Sequence, residues 1–424
     1  MRSAEQPRDD RRRERGRRSP FSAVVPAVVF AIGYGVAVLV WVIVGDPLPG
    51  GRWLAVHLFT LGVLTNVVLA FSIHFGQTVT RAPDQGWRWQ PAILNVGVVL
   101  VLAGIPTGIA PATGSGATIT TAVVFDSYLR LRRMRRQAVG ARFAWVARVY
   151  ERAHGAFIHG AALGLLLGIG VLTGPWHGAG RIAHLHINVL GWAGLTLLAT
   201  LVFFGPTMLR TRIEGGADDV AAPALRYGAT ALTVAVLLLL GTGVGGVAAT
   251  GLRIAAAVGL GVYAWAVTVV CLPVARVAAR AKRSATRPPV LALCAWFVVA
   301  GWADVVVIAT GELRMLDAIG LAALVGVLGQ AIATALTYVA PALRGTGNIQ
   351  RGQLIDRMAR GATPRTIAYN IGAVAVVAAA VGGADLASAG ALLAAAGWLL
   401  VIVTLAIQVA TALWPLDRRG REPA

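Results

Sequence analysis

Histidine is the residue type whose positions in this chain suggest chemistry most strongly. Seven histidines are present, and six lie in long apolar segments: His57, His74, His154, His159, His184 and His186. An ionisable side chain in such a segment indicates a functional site, because its burial in an apolar environment is costly. A neutral imidazole can bind a metal or pass a proton. The sequence therefore predicts metal ligands or a proton pathway, with hydrogen-bonded structural histidines as the alternative.

The spacing of His184 and His186 separates their two rings. Residues i and i+2 of an α-helix are about 200° apart around the axis, so their side chains leave on nearly opposite sides. The two rings cannot bind one ion together, but they can serve two sites that flank the helix. His57 stands in the first turns of another apolar segment that should run in the same direction. We therefore expect all three rings at a similar depth.

A second group of titratable residues should lie toward the other end of these segments. His74, His154 and His159 share a predicted depth with Asp126. Three imidazoles and a carboxylate can bind copper or transfer protons. A separate acid, Asp304, stands within an apolar segment, where we expect either a proton-path role or an arginine partner.

Transmembrane helices are the elements that must position these residues. Of the 424 residues, 57% are hydrophobic and 13% charged, and the mean hydropathy is +0.71. A soluble domain carries about 25% charged residues, so a water-soluble enzyme is excluded. Apolar runs of about 18 residues cross a hydrocarbon core of about 30 Å, and only helices satisfy their backbone groups there. The sequence predicts an all-α polytopic bundle of about twelve transmembrane helices, near residues 21–45, 53–80, 92–109, 112–129, 153–173, 182–209, 228–249, 254–275, 289–311, 318–343, 366–384 and 388–413.

Arginine positions predict the orientation of this bundle. Only four of the 38 Lys and Arg residues fall in one set of alternate loops, namely Arg52, Arg181, Arg253 and Arg314. Basic residues near span ends stay on the cytoplasmic side, so we expect a plasma-membrane (cell inner membrane) protein with both termini cytoplasmic. We predict one transmembrane domain over 21–413, a disordered basic tail over 1–20 and a cytoplasmic tail over 414–424. The net charge of +20 is then an orientation signal toward the lipid bilayer, and nucleic acid is not an expected partner.

The two cysteines give no sign of a metal module. Cys271 and Cys294 belong to no CxxC pair and to no Cys/His cluster. We therefore interpret both as small buried residues.

An internal repeat organises the chain. A shift of 129 residues brings ten identical residues into register without a gap, in the pattern R-x4-H-x3-L-G-x6-L-A-x4-F-G-x-T-x-x-R, which begins at Arg52 and again at Arg181. A shift of 135 residues gives a weaker third copy, with Leu321 in place of the histidine; it aligns Gly191 with Gly326 and Pro206 with Pro341. Equivalent helices at positions two, six and ten predict three four-helix units, over about 21–129, 153–275 and 289–413.

The sequence around these histidines is similar to that of a known family. The strings HLFTLGVLTN from His57, FSIHF from Phe71 and AHLHINVLGW from Ala183 resemble actinobacterial membrane proteins related to heme-copper oxidase subunit I and to NnrS. The resemblance covers most of the chain. It implies an oxidase-like bundle of three pseudo-equivalent four-helix units. In some members this membrane unit is fused to a copper oxidase or copper nitrite reductase domain.

The resemblance also implies a cofactor and its ligands. It implies a heme b site made by His57 and one of His184 and His186, while the other histidine faces a second pocket. Arg52 and Arg181 would pair with heme propionates, although plain interfacial anchoring explains them equally well. Copper is a second candidate metal, with ligands drawn from the same three histidines and from His74 and His159.

Two departures from the oxidase pattern argue against terminal oxygen reduction. The seventh span has no His-His pair and the tenth has no H-x-H sequence, so ligands of the oxidase copper centre are missing. The resemblance thus implies a heme- and copper-binding electron-transfer protein that is linked to a periplasmic or extracellular copper enzyme, or to nitrogen-oxide or copper metabolism. Whether it is itself an enzyme stays open. A proton-coupled secondary transporter without heme is the competing class.

Overall fold

Helices account for almost all of the residues that the structure describes. The computed structural model describes residues 22–44, 48–83, 86, 89–138, 140–281, 284–344, 348–382 and 387–414. These residues contain no strand. The predicted tails lie outside the described residues, apart from Trp414.

Twelve long helices make up the described bundle. Ten of them are long and apolar enough to cross a membrane, which makes this a multi-pass membrane protein. The other two are α4 and α5, whose facing ends carry arginine and glutamate side chains. The twelve helices are α1 Val25–Val44, α2 Gly51–Thr80, α3 Gln90–Thr107, α4 Ala110–Gln137, α5 Ala144–Gly168, α6 Gly174–Met208, α7 Ala217–Val244, α8 Gly246–Arg280, α9 Arg287–Thr310, α10 Leu313–Arg344, α11 Ala362–Gly382 and α12 Ala387–Leu413.

Two segments that the sequence analysis assigns to loops are helical. The predicted loop 130–152 is shortened from both sides, because α4 continues to Gln137 and α5 begins at Ala144. Leu131 and Tyr150 lie in these extensions and are fully buried, so their packing against the bundle stabilises the helical conformation. The sequence analysis assigned a loop here because the surrounding residues are polar. The predicted loop 344–365 likewise contains a short helix, Asn348–Ala359.

Glycine lets neighbouring helices approach closely. In the pair α11 and α12, a Cβ atom at Gly372 would lie 2.6 Å from the Gly397 carbonyl oxygen, and one at Gly397 would lie 2.7 Å from the Gly372 carbonyl oxygen. Neither position has room for a larger side chain. Small residues at helix contacts are the usual means of close packing in membranes, where burial from water does not drive helix association.

Each of α2, α6 and α10 contains a π-helical segment. The three segments are Leu58–Leu64, Ile187–Gly194 and Ala322–Gly329. They begin directly after His57, His186 and Leu321, which are the three residues that the sequence repeat aligns. Such segments are rare and cluster at functional sites. The helices that share the repeat therefore also share a backbone irregularity at the same place.

Side chains donate hydrogen bonds to carbonyl groups within these π segments. The Tyr263 hydroxyl of α8 donates to the Leu190 carbonyl at 2.8 Å, and the Tyr369 hydroxyl of α11 donates to the Val325 carbonyl at 2.8 Å. Leu190 and Val325 are themselves aligned by the repeat. In α2 the donor is local, since Asn66 Nδ2 lies 2.8 Å from the Gly62 carbonyl oxygen. A carbonyl that leaves the regular helix pattern in hydrocarbon needs such a donor.

We predict that Tyr263→Phe and Tyr369→Phe each destabilise the bundle by about 0.6–1.7 kcal/mol, which spans the mean to the maximum that double-mutant cycles gave for hydrogen bonds in one membrane protein. Each change removes only the hydroxyl that serves a π-segment carbonyl. The measurement is unfolding of the purified protein in mixed micelles as the denaturing detergent fraction rises. Tyr227→Phe is the matched control, because that tyrosine is exposed and its hydroxyl contacts Arg226. Equal stability of all three variants would contradict the assigned role of the two buried hydroxyls.

Candidate functional site

His57 of α2 and His184 of α6 face each other. Their ring centres lie 6.3 Å apart and the ring planes differ by 24°. The Nδ1 atom of His57 lies 2.8 Å from the Trp53 carbonyl oxygen, and that of His184 lies 2.8 Å from the Gly160 carbonyl oxygen of α5. A carbonyl oxygen can only accept, so Nδ1 carries the hydrogen in both rings. Each Nε2 atom is then left with a lone pair, the form in which histidine binds a metal.

Neighbouring residues fix the orientation of both rings. The Trp53 ring stacks on His57 with centres 4.1 Å apart. A Cβ atom at Gly164 of α5 would lie 2.7 Å from Cε1 of His184, so glycine makes room for that ring. Asn188 supports the backbone beneath it, because its Nδ2 atom donates to the His184 carbonyl at 2.8 Å. These contacts add to the Nδ1–carbonyl bonds, and bonds of that second kind orient metal-binding imidazoles in other proteins.

The two rings are stacked with their centres 6.3 Å apart, and each has one Nε2 atom that could bind a metal. Within the part of the chain that the structure describes, no group of three or more His, Cys, Asp or Glu side chains could hold a metal ion. Two imidazoles are too few for a closed protein site, but they are a donor set that could hold a heme iron. The donor set of His57 and His184 therefore fits a heme.

His186 points to the other side of α6. Its Nε2 atom lies 3.1 Å from both carboxyl oxygens of Asp304 on α9, and its Nδ1 atom lies 2.7 Å from the Ile182 carbonyl oxygen. Both nitrogens are thus engaged, whichever atom holds the proton shared with Asp304. As arranged, His186 offers no lone pair to a metal, and His184 is the histidine of this pair that adjoins His57. The sequence placed Asp304 inside the bundle but did not identify His186 as its partner.

Asp304 and His186 lie on the wall of a cavity between α6, α9 and α10. Both side chains are buried, and the cavity has a volume of about 40 Å³. The rest of the lining is apolar or glycine: Leu185, Val189, Leu190, Gly194, Phe297, Ala300, Gly301, Ile319, Gly320, Ala323, Val327 and Leu328. The H-x-H spacing therefore places one ring beside His57 and the other beside a second pocket.

The two arginines that precede the repeat-matched histidines differ in their contacts. Arg52 Nη1 lies 3.2 Å from Asp317 Oδ2, and both side chains are exposed. This ion pair connects the start of α2 with the start of α10. Arg181 is also exposed, in the first turns of α6. Their predicted pairing with heme propionates stays a prediction.

The second predicted group does not come together as a metal site in the described residues. His154 is fully buried, with Nδ1 2.7 Å from the Tyr150 carbonyl oxygen and its ring edge-on to Trp192. His159 is exposed, with Nδ1 2.8 Å from the Gly155 carbonyl oxygen. His74 is half-buried beside Phe75, and Asp126 lies 3.7 Å from Arg130. Metal-binding roles for His74 and His159 stay predictions.

Sequence reasoning missed that the two cysteines meet. Cys271 of α8 and Cys294 of α9 are buried and unbridged, and their thiols lie close enough to interact. No spacing rule signals this contact, because it depends on how α8 packs on α9. The pair occupies the protein core, where it packs as small apolar residues do.

Comparison with known proteins adds no assignment. No family model matches the chain, and no curated protein matches it at a significant level.

We predict that Asp304→Ala destabilises the protein by about 1–3 kcal/mol, because it leaves a buried His186 nitrogen without its partner. The same change at the exposed pair, Asp317→Ala, should cost no more than about 1 kcal/mol. Detergent unfolding measures both variants. In a double-mutant cycle, His186→Ala combined with Asp304→Ala should show coupling of at least about 0.5 kcal/mol. Additive effects would show that the contact between the two side chains contributes nothing.

Proposed function

We propose that this membrane protein binds a b-type heme through His57 and His184 and transfers electrons. The observation that carries the proposal is the contact between two imidazoles from helices that are far apart in the sequence. In each ring Nδ1 is hydrogen-bonded to a carbonyl oxygen and Nε2 is left with a lone pair. A heme held there would supply one-electron redox chemistry. Trp53 and Gly164 would keep the rings oriented, and Arg52 and Arg181 would neutralise the propionates at the outer surface. Copper is the second metal that two imidazoles suit.

The proposed architecture is a heme-copper-oxidase-like bundle of twelve transmembrane helices in three four-helix units. The support is the π segment that α2, α6 and α10 share at the residues aligned by the repeat. We further propose that both termini are cytoplasmic in the plasma membrane, because nearly all basic residues then lie on the inner side. The ends of α2, α6 and α10 that carry Arg52, Arg181 and Arg314 would then face outward.

The proposed biological role is electron transfer to a copper enzyme on the outer face, or a part in nitrogen-oxide or copper metabolism. It rests on the family resemblance of the strings around His57 and His184 and on the outward position of that pair. The missing oxidase ligands of the seventh and tenth spans argue against a complete terminal oxidase.

A proton-coupled secondary transporter is the second candidate function. The buried pair of His186 and Asp304 favours it, because an intramembrane acid with a histidine partner is the usual composition of a proton relay. In that function His57 and His184 would bind no heme. Spectroscopy of the purified protein separates the two candidates.

We predict that protein purified after heme-replete expression shows the sharp reduced α band of a six-coordinate b heme. His57→Ala and His184→Ala should each abolish this low-spin signal, because each removes one of the two imidazoles proposed to hold the heme. His186→Gln is the matched control on the same helix, and it should keep the signal since its ring faces away from His57. A wild-type protein without heme, or a signal that survives His57→Ala, would overturn the heme proposal and favour the transporter.

We predict that reporter fusions at Glu214, before α7, read as cytoplasmic and that fusions at Gly245, between α7 and α8, read as external. The reason is that Arg210, Arg212 and Arg276 lie on the side of Glu214, whereas Arg253 is the basic residue nearest to Gly245 in the sequence. Each site is fused in turn to a reporter enzyme that is active only in the cytoplasm and to one that is active only after export. The two reporters should give opposite results at each site, so each is a control for the other. External activity at Glu214 would reverse the proposed orientation.

A further inference from the structure

Three arginines come together on the surface between α5 and α7. Arg148 and Arg152 stand about one turn apart on α5, and Arg226 lies on α7. The Arg152 Nη1 atom donates to the Arg226 carbonyl oxygen at 2.8 Å, so the Arg152 side chain reaches from one helix to the other. The positive charges of Arg148 and Arg226 both repel the partly buried guanidinium of Arg152. We call these three residues the arginine cluster.

The carboxylates in this region are bound to other arginines. Glu151, which precedes Arg152 in the chain, binds Arg135 of α4. Asp218, at the start of α7, accepts two hydrogen bonds from Arg142 at 2.7 and 2.8 Å. Within the described ranges, no carboxylate forms an ion pair with a member of the arginine cluster. Because like charges one helical turn apart repel each other, an external anion would stabilise the arginine cluster.

The arginine cluster has hydrogen-bond donors for such an anion. Arg226 Nη2 donates to the Tyr227 hydroxyl at 2.8 Å, and the side chains of Arg148 and Arg226 are exposed. A guanidinium group carries several N–H donors in one plane, more than these contacts use. That planar arrangement matches the oxygen atoms of a phosphate group, which can accept two parallel hydrogen bonds from one arginine. A phosphate is therefore the anion that fits this surface.

The surface next to the arginine cluster is apolar and exposed. On α7, Val234 and Leu237 are 50% and 63% exposed, about two and three turns beyond the cluster. The spans that the sequence predicts for α5 and α7, 153–173 and 228–249, begin directly after the cluster. The arginines thus lie at the level of lipid head groups, and the apolar residues lie at the level of acyl chains. A phospholipid would contact both surfaces, whereas a free phosphate ion would contact only the arginines.

We propose that the arginine cluster binds the head group of an anionic phospholipid, whose acyl chains lie along α5 and α7. Basic pockets between transmembrane helices on the cytoplasmic side bind such head groups, and the proposed orientation places the cluster on that side. The three positive charges of the cluster exceed the single charge of one phosphodiester. A head group with two phosphates, as in cardiolipin, therefore neutralises the cluster more fully. The inference goes beyond the proposed function and does not depend on it.

The test is native mass spectrometry of the full-length protein in detergent during titration with cardiolipin. We expect one cardiolipin to bind with a lower Kd than any further lipid. The double variant Arg148→Gln, Arg226→Gln should raise this Kd at least about tenfold, because it removes two guanidinium groups that contact phosphate. It keeps Arg152, whose hydrogen bond to the backbone of α7 maintains the contact between the helices. Phosphatidylcholine, which has a phosphate but no net charge, should compete poorly.

The double variant Arg133→Gln, Arg136→Gln is the matched control. It removes the same charge from two exposed arginines of α4 and should leave the Kd unchanged. Equal weakening by both double variants would mean that cardiolipin responds only to net charge and would overturn the inference. An unchanged Kd in the cluster variant would overturn it as well. Displacement of cardiolipin by inorganic phosphate would show that the site binds free phosphate rather than a lipid.

Discussion

A ring N–H buried within a helix bundle must donate to an acceptor, and backbone carbonyls supply that acceptor to four of the histidines. His57, His154 and His186 each direct Nδ1 at the carbonyl oxygen four residues earlier in the same helix. His184 instead directs Nδ1 at the Gly160 carbonyl oxygen of α5. In every case the carbonyl selects the tautomer with hydrogen on Nδ1 and leaves Nε2 to interact across the bundle. What each ring can do then depends on what its Nε2 atom meets.

Helix α6 divides two chemically different environments. On one side the His184 ring stacks on that of His57, with centres 6.3 Å apart. On the other side His186 meets Asp304 at 3.1 Å, and the pair presents a shared proton and a carboxyl acceptor to an apolar cavity. Two residues of one helical turn thus have different partners: His184 meets another imidazole and His186 meets a carboxyl group. The glycines of α5 that receive His184 and Asn188 maintain this division, because larger residues would displace both side chains.

The sequence predicted features that follow from local periodicity and missed those that follow from packing. Hydropathy predicted an all-helical membrane bundle, and the i, i+2 spacing predicted rings on opposite sides of α6. The sequence could not show that His184, rather than His186, adjoins His57. That outcome depends on Asp304 of α9, which is far from both histidines in the sequence. The sequence also did not predict the contact between Cys271 and Cys294 or the helical ends of α4 and α5, because these features depend on how helices pack. The repeat aligned His57 with His186, yet the ring that adjoins His57 is that of His184, since equivalent positions of a repeat need not contact each other.

The π segments also change how the helices that contain them should be compared with other proteins. A π segment adds a residue without adding a full turn, so the helix beyond it is out of phase by about 100° with the helix before it. In α6, a regular helix continued from His184 and His186 would therefore predict the wrong direction for each side chain after Gly194. Each of these side chains points where that regular helix would place the adjacent residue. An alignment to a related helix without the extra residue needs a one-residue gap inside Ile187–Gly194, even where the flanking sequences match well. Without that gap, the parts of α2, α6 and α10 that follow the π segments would be assigned the wrong faces.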